Sequence, residues 1–159
     1  ALYRELSDLT YLAESIADLR KQIAALSNAT DAQPKRSLSA LDGDLLALSQ
    51  RIAASSTDGG YVSGEKQLRE RMGELYGDIV AYDGRPTDSQ SKTHLSIQAE
   101  YKARSADAEA LFARLDAINK DLAKPLIRLD RASWEKRSQG VGGSTQMLRA
   151  LPNPLSLMF

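Results

Sequence analysis

The sequence predicts an all-α fold: an antiparallel up-down-up-down four-helix bundle with long helices, followed by an irregular C-terminal tail. Two observations lead to this prediction. Leucine and isoleucine recur at helical spacing through most of residues 1–125, and polar stretches rich in glycine, proline and serine separate these runs. At 159 residues, the chain is also long enough for one hydrophobic core. We therefore divide it into a bundle, residues 1–125, and a C-terminal extension, residues 126–159.

The first two helices are predicted over residues 1–28 and 35–56. In the first, apolar residues at heptad spacing form a continuous seam: Leu2, Leu9, Leu12, Ile16, Leu19, Ile23 and Leu26. Pro34 suits the first turn of the second helix. Gly43 lies inside that helix and costs up to about 1 kcal/mol relative to alanine. Packing has to offset this cost.

The third helix is predicted over residues 64–83, with Ser63 as a candidate N-cap. Leu68, Met72, Leu75 and Ile79 share one face of it. Gly73 and Gly77 lie four residues apart near that face. They either allow a neighbouring helix to approach closely or are tolerated weak positions, and the sequence leaves both alternatives open.

A structural capping turn separates the third helix from the fourth. Gly84 can adopt the left-handed conformation that closes a helix, and Pro86 disfavours α geometry in the residue before it. Thr87 fits an N-cap and Gln90 the N3 position of a capping box. The fourth helix is thus predicted over residues 87–124, ending before Pro125 because proline in a helix interior costs about 3 kcal/mol.

The extension begins with Leu126, Ile127, Leu129 and Trp134, which we expect to continue a helix. A glycine-rich linker around residues 140–144 and one short helix over residues 145–151 follow. The chain end is strongly apolar, so either the bundle or a partner should cover it. These residues form a predicted interface: Trp134, Leu155, Leu157, Met158 and Phe159.

Composition and motifs argue against site chemistry. The 21 basic and 21 acidic residues balance, so no global field favours nucleic acid, and no apolar run is long enough to span a membrane. Cysteine is missing and His94 is the single histidine, which we interpret as a half-buried packing residue. We therefore predict no catalytic, cofactor-binding or metal-binding residue. An enzyme using the region of Tyr82 and His94 is a disfavoured alternative.

Two segments carry a family resemblance: the leucine-rich helix before Tyr82, and the turn Pro86-Thr87-Asp88-Ser89-Gln90 with Asn119-x-x-Leu122 near the end of the long helix. In this order they resemble the C-terminal helical region of bacterial sortilin-type propeller proteins, which carry BNR (Asp-box) repeats and are often classed as glycosyl hydrolases. The resemblance covers roughly residues 2–125. It implies a β-propeller before Ala1 in an exported, periplasmic or envelope protein.

The blade motif of that family does not occur in this chain, so the resemblance transfers no active-site residue to it. We expect a non-catalytic helical accessory domain for packing, oligomerisation or partner docking. Its partner would be the propeller of the same parent chain, a second copy or another protein. The alternative is an adaptor-type bundle that binds a foreign helix or peptide in a groove. No cofactor is expected in either case.

Overall fold

The computed structural model describes residues 2–26, 32–54, 66–82 and 84–140. All regular secondary structure in these ranges is helical, which confirms the all-α prediction for this part of the chain. The helices are α1 (Leu2–Leu26), α2 (Ala32–Ile52), α3 (Leu68–Ala81), α4 (Asp88–Asn119) and α5 (Arg131–Gly140). The chain divides into two compact units, Ala1–Arg128 and Leu129–Phe159.

The core of the first unit is built from the predicted apolar seams. Leu9, Ile16 and Leu19 of α1 are completely buried. The other helices contribute further side chains that are less than 2% exposed: Leu38, Leu41 and Leu45 from α2, Leu68 and Met72 from α3, and Ile97 and Leu115 from α4. Each buried leucine or isoleucine stabilises the fold by about 1.5–3 kcal/mol. This burial holds the helices together.

The helix boundaries differ from the prediction by three residues or more in four places, one of which is the end of α2 at Ile52, four residues before the predicted end at residue 56. Helix α2 begins at Ala32, because Pro34 is accommodated within its first turn. Helix α3 begins only at Leu68, with Gln67 as an N-cap that makes no side-chain capping bond; the predicted cap, Ser63, lies outside the described residues. Helix α4 ends at Asn119, five residues before the predicted end at residue 124. A tertiary contact of Asn119, described below, explains this early end.

Helices α1 and α4 run side by side in the same direction. Near their starts, Glu5 of α1 contacts His94 and Gln98 of α4. Near their ends, Gln22 and Asn119 bind two consecutive residues of the chain, Ile127 and Leu126. Contacts at both ends therefore fix the alignment of the two helices.

Helices α2 and α3 both run antiparallel to this pair, one after the other. Helix α2 returns along α1, joined by the Arg20–Asp42 ion pair at 2.8 Å. Helix α3 forms a hairpin with α4, joined by Arg71–Glu100 at 2.8 Å. The amide of Ala54, just past α2, donates to the Glu70 carboxylate in the first turn of α3. The predicted up-down-up-down order is thus not confirmed, because the chain keeps its direction from α2 into α3.

The predicted extension contains one described helix, α5, in the second unit. Residues 125–130 are not helical, so the expected helix through Leu126 and Leu129 is wrong. Asp130 caps α5 instead, since its carboxylate accepts the Ser133 amide at 2.9 Å. The Ser133 hydroxyl donates to the same carboxylate, and the hydrogen bonds from the amide and the hydroxyl lower the pKa of the Asp130 carboxyl. The predicted helix at residues 145–151 lies outside the described residues.

The glycines inside the helices lie next to open space. A Cβ atom added at Gly43, Gly73 or Gly77 would meet no described atom within 4 Å. Of the two alternatives for Gly73 and Gly77, close approach of a neighbouring helix is therefore not observed. These positions give up helix propensity without a packing gain.

We predict that Gly77→Ala raises the free energy of unfolding by about 0.5–1 kcal/mol, because alanine loses less backbone entropy in a helix. Urea denaturation followed by circular dichroism measures the change. Gly84→Ala is the control, since a Cβ there would meet Cε1 of Tyr82 at 2.6 Å and should give no such gain. Destabilisation by Gly77→Ala would contradict the open environment.

Candidate functional site

The start of α4 contains the capping box that the sequence predicts. The Gln90 amide donates to the Thr87 hydroxyl at 3.2 Å, and the Thr87 amide donates to Oε1 of Gln90 at 2.9 Å. Pro86 is exposed directly before the cap. These polar groups satisfy the free amides of the helix end. Their hydrogen bonds serve the start of the helix.

Gly84 does not close α3 in the left-handed conformation that the sequence predicts. Helix α3 ends at Ala81 with Tyr82 as an extended C-cap, and Gly84 does not adopt the left-handed conformation. Its amide donates to the Tyr82 carbonyl at 2.9 Å, and the Tyr82 ring lies where a Cβ of residue 84 would be. Glycine thus suits this position because of the nearby ring. The prediction of a left-handed closure is wrong.

A polar cluster joins α1 to α4 near their starts. The Glu5 carboxylate accepts a hydrogen bond from Nε2 of Gln98 at 2.6 Å and lies 3.1 Å from Nε2 of His94. Burial raises the pKa of the Glu5 carboxyl, but the hydrogen bonds from Gln98 and His94 and the charge of the imidazole outweigh it, and the net pKa is lowered. His94 is half-buried, as predicted. The cluster ties two helices together.

A second polar arrangement lies at the opposite ends of these helices. The side-chain amide of Asn119 binds the backbone of Leu126 twice: Nδ2 donates to the carbonyl at 2.9 Å, and Oδ1 accepts from the amide at 2.8 Å. Leu126 itself is 4% exposed. Asn119 is the last helical residue of α4. Its side chain therefore binds the backbone of the segment that follows its own helix.

Gln22 of α1 binds the next residue in the same way. Its Nε2 donates to the Ile127 carbonyl at 2.8 Å, and its Oε1 accepts from the Ile127 amide at 3.0 Å. Nε2 also donates to Asp18 at 2.9 Å, which orients the side chain. The two carboxamides, Gln22 and Asn119, form what we call the amide clamp. It satisfies both edges of an extended segment.

The side chains of the clamped segment are held to different degrees. Leu126 is buried, whereas Ile127 is 72% exposed. The guanidinium of Arg128 lies 4.0 Å from the centre of the Phe112 ring and 3.6 Å from the Glu109 carboxylate. A cation over an aromatic face is attractive by about 0.5–1 kcal/mol at exposed sites. The clamp therefore binds backbone, while Leu126 and Arg128 add side-chain contacts.

A polar cleft of about 430 Å³ lies between α3 and α4. Arg71, Glu74 and Asp78 line it from α3, and serine, threonine and glutamine side chains line it from α4. Arg71 already pairs with Glu100, and Glu74 with Lys66. Among the described residues, no group of three histidine, aspartate or glutamate side chains is placed to hold a metal ion.

The predicted interface falls mostly beyond the structure. Leu155, Leu157, Met158 and Phe159 lie outside the described residues. Trp134 is described: it is 4% exposed, and the Arg131 guanidinium of the same helix lies 5.6 Å from its ring centre. Its role in an interface stays a prediction.

Comparison with protein-family models, curated proteins and solved structures gives no match. None of the helices in the described ranges is both long enough and apolar enough to cross a membrane. Sequence reasoning missed the amide clamp, and the only available signal was Asn119, noted as part of a family motif.

We predict that Asn119→Ala lowers the free energy of unfolding by about 1–3 kcal/mol, because it leaves backbone groups of the buried Leu126 without partners. Asn119→Asp should recover part of the loss, since it keeps the acceptor for the Leu126 amide. Gln22→Ala should cost less, since water can reach the exposed Ile127. Urea denaturation measures each value.

Gln50→Ala is the matched control for these clamp variants, because Gln50 is an exposed amide of α2. Its effect should stay within about 0.5 kcal/mol of zero. If Asn119→Ala were no more destabilising than this control, the clamp would not contribute to stability.

We also predict a pH dependence from Glu5. Its folded pKa lies below the ordinary 4.5, so its stabilisation is fully present above that value and is lost as the pH falls through the folded pKa. The wild type should exceed Glu5→Gln in free energy of unfolding at about pH 7, and the difference should shrink towards about pH 3. Asp116→Asn, at an exposed position of α4, is the control. An equal wild-type advantage at both pH values would contradict the assignment.

Proposed function

We propose that this chain is a non-catalytic helical domain that binds protein, acting in packing, oligomerisation or partner docking. The observation that supports it best is the amide clamp. Polar side chains at the ends of two long helices are used to hold protein backbone. The Glu5 cluster likewise joins helix to helix. The clamp and the Glu5 cluster both bind other parts of a protein chain, and such contacts suit a protein-binding role.

The resemblance to the C-terminal region of bacterial sortilin-type propeller proteins extends this proposal. It would make the chain an accessory domain of a larger exported protein, docked on the propeller of its parent chain, on a second copy or on another protein. Asn119, one of the motif positions, is a residue of the clamp. The motif would then serve to position the chain that follows α4.

The second candidate is an adaptor-type domain that binds a foreign helix or peptide in a groove. The clamp favours this candidate in one respect, because it holds a segment in the extended conformation. In that case the clamp would bind the backbone of a foreign peptide as well as that of its own chain.

Light scattering of the full chain at about 1–100 μM tests self-association, and a chain ending at Gly140 tests whether the apolar end takes part. A mass that rises with concentration and falls to the monomer value in the shorter chain is expected for oligomerisation. Aryl-glycoside assays should show no turnover above buffer. Turnover that is lost in both Glu5→Gln and His94→Ala would overturn the non-catalytic assignment.

A further inference from the structure

We infer that the groove between the last turns of α1 and α4 is a binding site for an extended protein segment of the pattern apolar-any-arginine. Residues Leu126–Arg128 are its tethered occupant in this structure. The inference rests on the proposed protein-binding function and specifies its ligand. It follows from three features of the groove: how it binds backbone, which side chains it selects and how its occupant is tethered.

The backbone contacts do not depend on the sequence that is bound. Asn119 pairs with the amide and carbonyl of one residue, and Gln22 with those of the next, on the opposite edge. Successive residues of an extended chain present these groups alternately to two sides. A carboxamide presents an N–H donor and a carbonyl acceptor side by side in one plane, as a backbone edge requires. The clamp is thus complementary to any extended peptide without proline at these two positions.

Side-chain contacts provide the selectivity. The first position is apolar, because the side chain of Leu126 is buried against the first unit. The second is unrestricted, since Ile127 points away from the protein and is 72% exposed. The third favours arginine, which stacks over Phe112 and reaches the Glu109 carboxylate. Lysine is a poorer fit there, because it lacks a planar group to stack.

The occupant is joined to α4 by a short and mostly exposed connection. Between α4 and Leu126, Leu122 is half-buried, and the other residues are exposed: Lys120, Asp121, Ala123, Lys124 and Pro125. Leu126 supplies the one fully buried side chain of the clamped segment. A short tether gives an effective concentration on the order of millimolar, so the tethered segment competes with any free peptide for the groove. A competing segment binds once this tethered occupant has been displaced or weakened.

The test uses the full chain carrying Leu126→Asp, which disfavours the tethered occupant, and a capped peptide with the sequence of residues 124–129. Peptide is titrated into labelled protein while the side-chain amide signals of Gln22 and Asn119 are followed by NMR. We expect saturable shifts of both signals. Binding to the wild-type chain should be at least about tenfold weaker, because its groove is occupied.

Two controls make the test specific. A peptide with aspartate in place of its first leucine, and the double variant Leu126→Asp with Asn119→Ala, should each bind at least about tenfold more weakly. Circular dichroism first establishes that each protein keeps the helix content of the wild type. Leu126→Ala replaces Leu126→Asp if the latter does not.

Absence of saturable shifts at about 5 mM peptide in a correctly folded variant would overturn the inference, as would equal binding of the aspartate peptide. Either result leaves the light-scattering experiment unaffected, because self-association can use another surface. A failed groove and a failed protein-binding function are therefore distinguishable.

Discussion

The amide clamp is the interaction on which the end of the first unit depends. A chain leaving a helix loses its backbone partners and must find others, or pay a penalty of about 1–3 kcal/mol for each buried group left unpaired. Here the partners are not a neighbouring strand, as in a sheet, but two side chains from two different helices. Because Asn119 of α4 and Gln22 of α1 bind adjacent residues, all four hydrogen bonds to the segment after α4 form only when the two helices are aligned. Local and tertiary structure are coupled at this point.

The rest of the first unit follows from burial. Helices α1 and α4 run alongside each other, and α2 and α3 together provide the antiparallel partner that completes the core. The Ala54–Glu70 hydrogen bond joins the end of α2 to the first turn of α3, because the Glu70 carboxylate accepts the backbone amide of Ala54. This hydrogen bond therefore holds the end of α2 next to the start of α3.

Features that depend on local chemistry were predictable from the sequence. The Leu9 seam and the Thr87 capping box were identified because each depends on residues within one or two helical turns. The end of α4 was not, since the helical pattern continues to Leu122 in the sequence, whereas Asn119 pairs with Leu126, seven positions further along the chain. Likewise, no residue pattern states that α2 and α3 run in the same direction. Asp130 could have been recognised as a cap from its spacing to Ser133.

Polar contacts at both ends of α1 and α4 have a consequence for register. A leucine seam that repeats every seven residues looks nearly the same after a slip of two turns, so apolar packing alone discriminates poorly between neighbouring alignments. The contact of Glu5 with Gln98 and that of Gln22 with the chain after Asn119 cannot both survive such a slip. Together they select a single alignment from several that would bury similar apolar area, as buried polar residues do in coiled coils. The same carboxamides that hold a peptide backbone thereby also encode the alignment of the helices that carry them.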